Sequence, residues 1–162
     1  MIDRRTLLGG IAAAAVAGCM SDSSDAASKA TDKRFDLTPA QWRARLNPAA
    51  FHILREEGTE RPFTSPLLNE HRAGNFLCAG CALPVYPSKT KFDSGTGWPS
   101  FWAAIPGAVG TRRDTTLGMD RTEAHCIRCG GHLGHIFDDG PKPTGKRHCI
   151  NGVALSFAPA RG

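Results

Sequence analysis

Two equally spaced cysteine pairs, Cys78-x-x-Cys81 and Cys126-x-x-Cys129, constrain this chain more than any other feature. A C-x-x-C turn brings two sulfurs to one side of the backbone, where both can reach a single ion at ~2.3 Å. Two such hooks far apart in sequence, closed on one ion, force their surrounding segments together. Four soft thiolates favour zinc over harder cations, so the spacing predicts one structural zinc ion with every position filled and no chemistry of its own. Such an ion would hold two halves of a sheet together. Two disulfides, or one redox-active C-x-x-C, are the competing readings of the same spacing. Glycines suit the turns: Gly80 lies inside the first hook and Gly130-Gly131 follow the second. His125, beside Cys126, is superfluous as a ligand and reads as an ordinary polar neighbour.

Of the six cysteines, two stand outside these hooks. Cys149 follows Lys146, Arg147 and His148, cations of the kind that stabilise a thiolate, the nucleophilic form. A buried, inert thiol is the alternative. The following stretch, Asn151-Gly152-Val153-Ala154-Leu155-Ser156-Phe157, is apolar enough to read as a core strand. Gly131-His132-Leu133-Gly134-His135 lies close behind the second hook and is followed by Asp138 and Asp139. Its two imidazoles are candidate proton donors or acceptors. Trp98, between Gly97 and Pro99, can wall an apolar slot.

The other cysteine, Cys19, closes an N-terminal leader. Arg4-Arg5 precede a short apolar, small-residue stretch that ends in Val16-Ala17-Gly18-Cys19. The pair resembles a twin-arginine export signal and the end resembles a lipobox, which would leave Cys19 lipidated. Cleavage at an Ala-x-Ala-like site is the other outcome. Either way the leader predicts an exported bacterial protein, periplasmic or held at the membrane through Cys19. Residues 1–19 are thus an export signal, 20–34 a flexible polar linker, and 35–160 the folded domain. The net charge of +5 comes from scattered Lys and Arg without a basic run, so no nucleic-acid stripe is evident.

Within the domain, Thr38-Pro39-Ala40-Gln41 predicts a helix start: a capping hydroxyl, Pro at the first helical position and Gln completing a capping box. A second short helix is predicted from Asn47-Pro48, with Phe51 and Leu54 inward and Gly58 as its stop. Beyond Glu60, apolar runs are short and punctuated by Gly, Pro, Asp and Thr, which predicts several short antiparallel strands. The fold class is mainly β: small antiparallel sheets with short N-terminal helices and a structural metal site.

These motifs together resemble the peptide methionine-R-sulfoxide reductases. The resemblance runs through Gly58-Thr59-Glu60-Arg61-Pro62-Phe63, Ser94-Gly95-Thr96-Gly97-Trp98-Pro99-Ser100-Phe101, both hooks, Gly131-His132-Leu133-Gly134-His135 and Arg147-His148-Cys149-Ile150-Asn151. It implies two antiparallel sheets in a tent-like arrangement with short N-terminal helices; a monomer is the expected state of the chain. It implies Cys149 as the nucleophile, with His132, His135 and Asn151 beside it and Trp98, Asp139 and Arg147 toward the substrate, an oxidised methionine in protein or peptide. Two positions depart from the family pattern. Thr96 stands where many members have a resolving cysteine, so a thioredoxin-like external thiol is implied as reductant. Thr116-Leu117 replaces Ser-His before Gly118-Met119, so one polar histidine is missing.

Overall fold

The computed structural model describes residues 32–161. The leader and most of the linker lie outside these residues. Among the described residues, no helix is long and apolar enough to cross a membrane.

Two short helices open the fold. Helix α1 spans Pro39–Arg45; Thr38 accepts from the Gln41 N–H while the Gln41 side chain accepts from the Thr38 N–H, a complete capping box. Helix α2 spans Pro48–Glu56, and Asn47 caps it by accepting from the Ala50 N–H at 2.8 Å. The stop differs from the sequence expectation. Glu57, not Gly58, takes the left-handed conformation, at φ 55°. Gly58 serves a steric purpose instead: a Cβ there would lie 2.4 Å from the His52 ring.

The strands are β1 (Gly74–Cys78), β2 (Pro84–Pro87), β3 (Lys91–Phe92), β4 (Ser100–Phe101), β5 (Val109–Asp114), β6 (Arg121–Cys126), β7 (His132–Phe137), β8 (Arg147–Ile150) and β9 (Leu155–Pro159). They form two antiparallel sheets, one of order β2-β1-β9 and one of order β3-β4-β8-β7-β6-β5. The apolar stretch after Cys149 is not one strand. A 3-10 turn at Gly152–Ala154 breaks it, so β8 stays in the six-stranded sheet and β9 crosses to the three-stranded one. The turn is held by Glu60, whose carboxylate accepts from the Gly152 and Val153 N–H groups.

Aromatic packing seals the two sheets together. Tyr86 of β2 stacks on Phe101 of β4 at 4.4 Å between centroids, and Phe76 of β1 meets the same ring edge-on at 5.0 Å. All three are fully buried. Trp42 and Leu54 bring the helices onto the cysteine hooks. A Cβ at Gly80 or Gly131 would touch both Leu54 and the Cys129 sulfur, so the glycines leave room for the helical lid.

At Gly134 in β7 an added Cβ would fall 2.1 Å from the Cys149 carbonyl oxygen. That neighbour is strand backbone and cannot swing away. Gly134→Ala is expected to destabilise the domain by about 1–3 kcal/mol through this overpacking. The denaturant midpoint checks it; an unchanged midpoint would mean that β7 and β8 separate freely.

Candidate active site and metal centre

Cys78 ends β1 and Cys81 lies in the turn before β2; Cys126 ends β6 and Cys129 lies in the turn before β7. The four sulfurs lie within 4.8 Å of one another, with Cys78 and Cys129 3.6 Å apart and Cys81 and Cys126 3.5 Å apart. A tetrahedron of sulfurs at ~2.3 Å from a central ion has edges of about 3.8 Å. The residues therefore fit a metal ion. None of the five described cysteines is in a disulfide, and the nearest sulfurs belong to different hooks, at distances far beyond the ~2.05 Å of a bond. The hooks belong to different sheets, so the cluster joins sheet to sheet rather than two halves of one. His125 stands outside the cluster, but it is buried at 4% exposure, not a surface neighbour.

Cys149 lies elsewhere, at the centre of the six-stranded sheet. Antiparallel register sets one continuous rung: Arg112 opposite Glu123, Glu123 opposite His135, His135 opposite Cys149, and Cys149 opposite Ser100. Residues directly opposite project from the same face, so one imidazole is the immediate cross-strand neighbour of the thiol. A cleft of about 170 Å³ opens there, lined by Cys149, His135, Arg121 and Asn151 with Trp98, Phe137, Thr59 and Gly134. Its lining combines two aromatic rings with the polar side chains of His135, Arg121 and Asn151. The sequence-derived candidates Cys149, His135, Asn151 and Trp98 thus come together.

The remaining candidates sit one layer back. His132 is buried, its ring 5.3 Å from that of His135, because a β-bulge between Ala124 and His125 shifts the register of β7. Its Nδ1 lies 2.7 Å from Glu123 Oε1, and its Nε2 has no hydrogen-bond partner among the described residues. Asp139 is largely exposed and forms a two-point pair with Arg147, both bonds at 2.9 Å. That guanidinium lies over the Phe137 ring at 4.5 Å. Asp139 and Arg147 therefore back the cleft rather than line it.

The environment of the thiol is less cationic than Lys146-Arg147-His148 implies. Strand period places His148 on the opposite face, where Tyr86 hydroxyl and His148 Nδ1 are 3.1 Å apart and burial, helped by the Lys146 charge, pushes the imidazole down to about 4. Lys146 is paired with Asp138. Arg147, two residues before Cys149, remains on its face. Burial pushes the Cys149 thiol up from its ordinary value, while Arg147 and the Thr96 hydroxyl, 4.0 Å away, pull it partly back. The thiol form therefore predominates at neutral pH.

The sequence motifs assigned no role to five groups that build this site, Glu60, Asp114, Glu123, Arg112 and Arg121. Glu60 accepts from the Trp98 indole through its carbonyl at 3.1 Å and donates its N–H to Asn151 Oδ1 at 2.9 Å, locking both to one loop. Asn151 also donates to the Leu133 carbonyl. Glu123 and Asp114 each hold one histidine, and each is paired across the β5–β6 hairpin with an arginine, Arg112 and Arg121 respectively. Their signal was a strand pattern, Arg112-x-Asp114 facing Arg121-x-Glu123, which becomes visible only once the hairpin register is known.

Residues 46–159 match the SelR domain family model. The chain belongs to the SelR domain family. It is 53% identical over 130 residues to the peptide methionine sulfoxide reductase MsrB of Agrobacterium fabrum, covering 80% of this chain and 96% of that protein. It is 58% identical over 123 residues to the protein of the same name from Thiobacillus denitrificans, covering 75% of this chain and 93% of the relative. A homologue of that name in Methanosarcina barkeri is 48% identical over 126 residues, covering 77% of this chain and 89% of the relative.

The position of the Cys149 thiol gives a measurable pH dependence. Alkylation by iodoacetamide requires the thiolate, so its rate is expected to rise with pH to a midpoint above that of an unperturbed cysteine. Arg147→Ala removes a charge that favours the thiolate and should move the midpoint higher still. A midpoint below the ordinary cysteine value, or a downward move in the variant, contradicts this electrostatic account.

Proposed function

We propose that this SelR family member reduces the R epimer of methionine sulfoxide, in proteins and peptides and also as the free amino acid, with Cys149 as the nucleophile. Family membership makes it an oxidoreductase of the peptide methionine sulfoxide reductase class. The observation that carries the residue assignment is the placement of the one described thiol outside the four-cysteine cluster, Cys149, in a cleft lined by Trp98 and Phe137, with His135 directly across the strand.

In the proposed cycle the sulfoxide methyl group lies against Trp98 and Phe137, and the sulfoxide oxygen faces His135, Arg121 and Asn151. The sulfur of a sulfoxide is chiral, so fixing the methyl group, the oxygen and the direction of attack by Cys149 together selects one epimer. The Cys149 thiolate attacks; the sulfur–oxygen bond of the substrate breaks and a new sulfur–oxygen bond forms on Cys149. His135, charged by a proton relayed with His132, gives that proton to the transferred oxygen as negative charge builds on it. The products are methionine and a Cys149 sulfenic acid, the first reversible rung of thiol oxidation.

A thiol of a thioredoxin-like reductant then attacks the sulfenic sulfur, releasing water and leaving a mixed disulfide. Its second thiol displaces Cys149 and restores the enzyme. The external route is favoured because the position beside the nucleophile holds Thr96, whose hydroxyl cannot form a disulfide. The four cluster sulfurs take no part. They fit zinc, which supplies no chemistry in a closed four-thiolate site and contributes folding energy instead. The leader supports an exported enzyme, periplasmic or anchored through a lipidated Cys19, acting on oxidised envelope proteins as a monomer.

Two variants test the cycle. Cys149→Ser should abolish reduction of the R sulfoxide while keeping the metal and the fold; near wild-type turnover in that variant sinks the assignment. Thr96→Cys should let the introduced thiol capture the sulfenic acid, giving an internal disulfide with Cys149 after one equivalent of sulfoxide, seen by mass spectrometry. Wild-type protein treated identically should show no intramolecular disulfide, and finding one there would refute the external-reductant route.

A further inference from the structure

Asp114 is a heavily coordinated carboxylate in contact with His135. Its Oδ1 accepts from the Thr116 N–H at 2.9 Å and from the Thr116 hydroxyl at 2.7 Å. Its Oδ2 accepts from Arg121 Nη2 at 2.7 Å and lies 2.7 Å from His135 Nε2. Arg121 also reaches the Thr116 hydroxyl at 3.1 Å, which closes the ring of contacts. Burial works against the charged carboxylate, yet the hydrogen bonds from Thr116 and His135 and the charge of Arg121 outweigh it and hold Asp114 well below the usual range. An ionised carboxylate only accepts. The hydrogen in the contact with His135 therefore sits on the imidazole Nε2, and Nδ1 is the ring nitrogen left for the cleft that His135 lines.

We propose that Asp114, braced by Arg121 and Thr116, is a positioning residue of the reaction: it fixes the tautomer and angle of His135 and so makes Nδ1 the atom that exchanges a proton at the cleft. The proposal rests on the sulfoxide-reductase reading and deepens it by assigning one histidine its acid–base atom. The hydroxyl of Thr116 matters here. It keeps the hydroxyl function of the family's Ser-His pair at this point in the chain, while Leu117 abandons the histidine. Acid–base work then falls to His135 and its neighbour His132, each tied to its own carboxylate.

The groups facing His135 are Asp114 on β5, Arg121 and Glu123 on β6, His132 on its own strand and Cys149 on β8. Burial lowers the proton affinity of His135, and Asp114 opposes that fall. The active form pairs a protonated His135 with a Cys149 thiolate, although the histidine is the stronger acid of the two. For that ionic state the acid limb of the rate profile follows the histidine and the alkaline limb follows the thiol. Removing the Asp114 charge lowers the histidine further. The plateau must drop, and the acid limb must move to lower pH by one unit for each tenfold loss.

The test is Asp114→Asn in the full-length protein, assayed with a small R sulfoxide. The amide keeps the shape but must turn an N–H toward either Thr116 or His135, so the lock on one tautomer is lost. The expected result is a loss in kcat on the order of 10²-fold, KM within about threefold, and an acid limb displaced downward. In ¹⁵N-imidazole spectra, His135 of the wild type should show the Nε2–H tautomer, and the variant should not. Thr116→Val should give a smaller change in the same directions. A wild-type pH profile in Asp114→Asn overturns the proposal, as does a loss of kcat with no movement of the acid limb or of the tautomer. An inactive wild type, or an active Cys149→Ser variant, would instead bring down the underlying sulfoxide-reductase reading.

Discussion

Four sulfurs converging from two sheets are the contact on which the rest of this architecture depends. Each sheet alone is small: one has three strands, and β3 and β4 of the other are two residues each. Phe76, Tyr86 and Phe101 join the sheets by packing, and the sulfur cluster adds a second junction between them. The turn after β1 and the turn after β6 meet at the cluster, and α1 and α2 cover it through Trp42 and Leu54. The turn after the second hook leads directly into β7, so fixing the cluster fixes the strand that carries His132 and His135. The cluster thus bears on the cleft at a distance, by setting where β7 begins.

Behind the thiol and imidazole of the cleft lie a second imidazole, His132, and two carboxylates, the buried Glu123 and the half-buried Asp114, each balanced by an arginine from the neighbouring strand. Charges of this kind are tolerated in a protein interior only when paired and hydrogen-bonded. The β5–β6 hairpin meets that requirement with two cross-strand pairs of opposite sense, Arg112 with Glu123 and Asp114 with Arg121. The sheet then carries the order inward, from arginine to carboxylate to histidine to thiol. The same burial raises the thiol, so the thiolate is the minor form at neutral pH.

Much of this was legible in the sequence because the strongest signals are local. The Thr38–Gln41 capping box, Asn47 as a cap and the two C-x-x-C turns each depend on a few adjacent residues, and each formed as read. The isolation of Cys149 from the other sulfurs and its nearness to position 96 were also readable, through motif resemblance. What escaped was decided by long-range register. The run after Cys149 reads as one strand, but Glu60, some ninety residues earlier, captures Gly152 and Val153 and splits it between sheets. Lys146, Arg147 and His148 read as three cations near a thiol, yet strand alternation turns His148 away and burial neutralises it. Asp114, Arg121 and Glu123 look like ordinary surface charges until the hairpin is paired.

The proposed function requires a division among sulfurs: four held together as a structural cluster and one that takes up oxygen. Thiol titration of the native, metal-loaded protein, before and after one equivalent of R sulfoxide without reductant, tests it most directly. One reactive thiol at Cys149 is expected beforehand, its loss afterward as a dimedone-trappable sulfenic acid, and no release of metal. Loss of metal, oxidation at any of Cys78, Cys81, Cys126 or Cys129, or an undiminished Cys149 thiol after methionine has formed would contradict it.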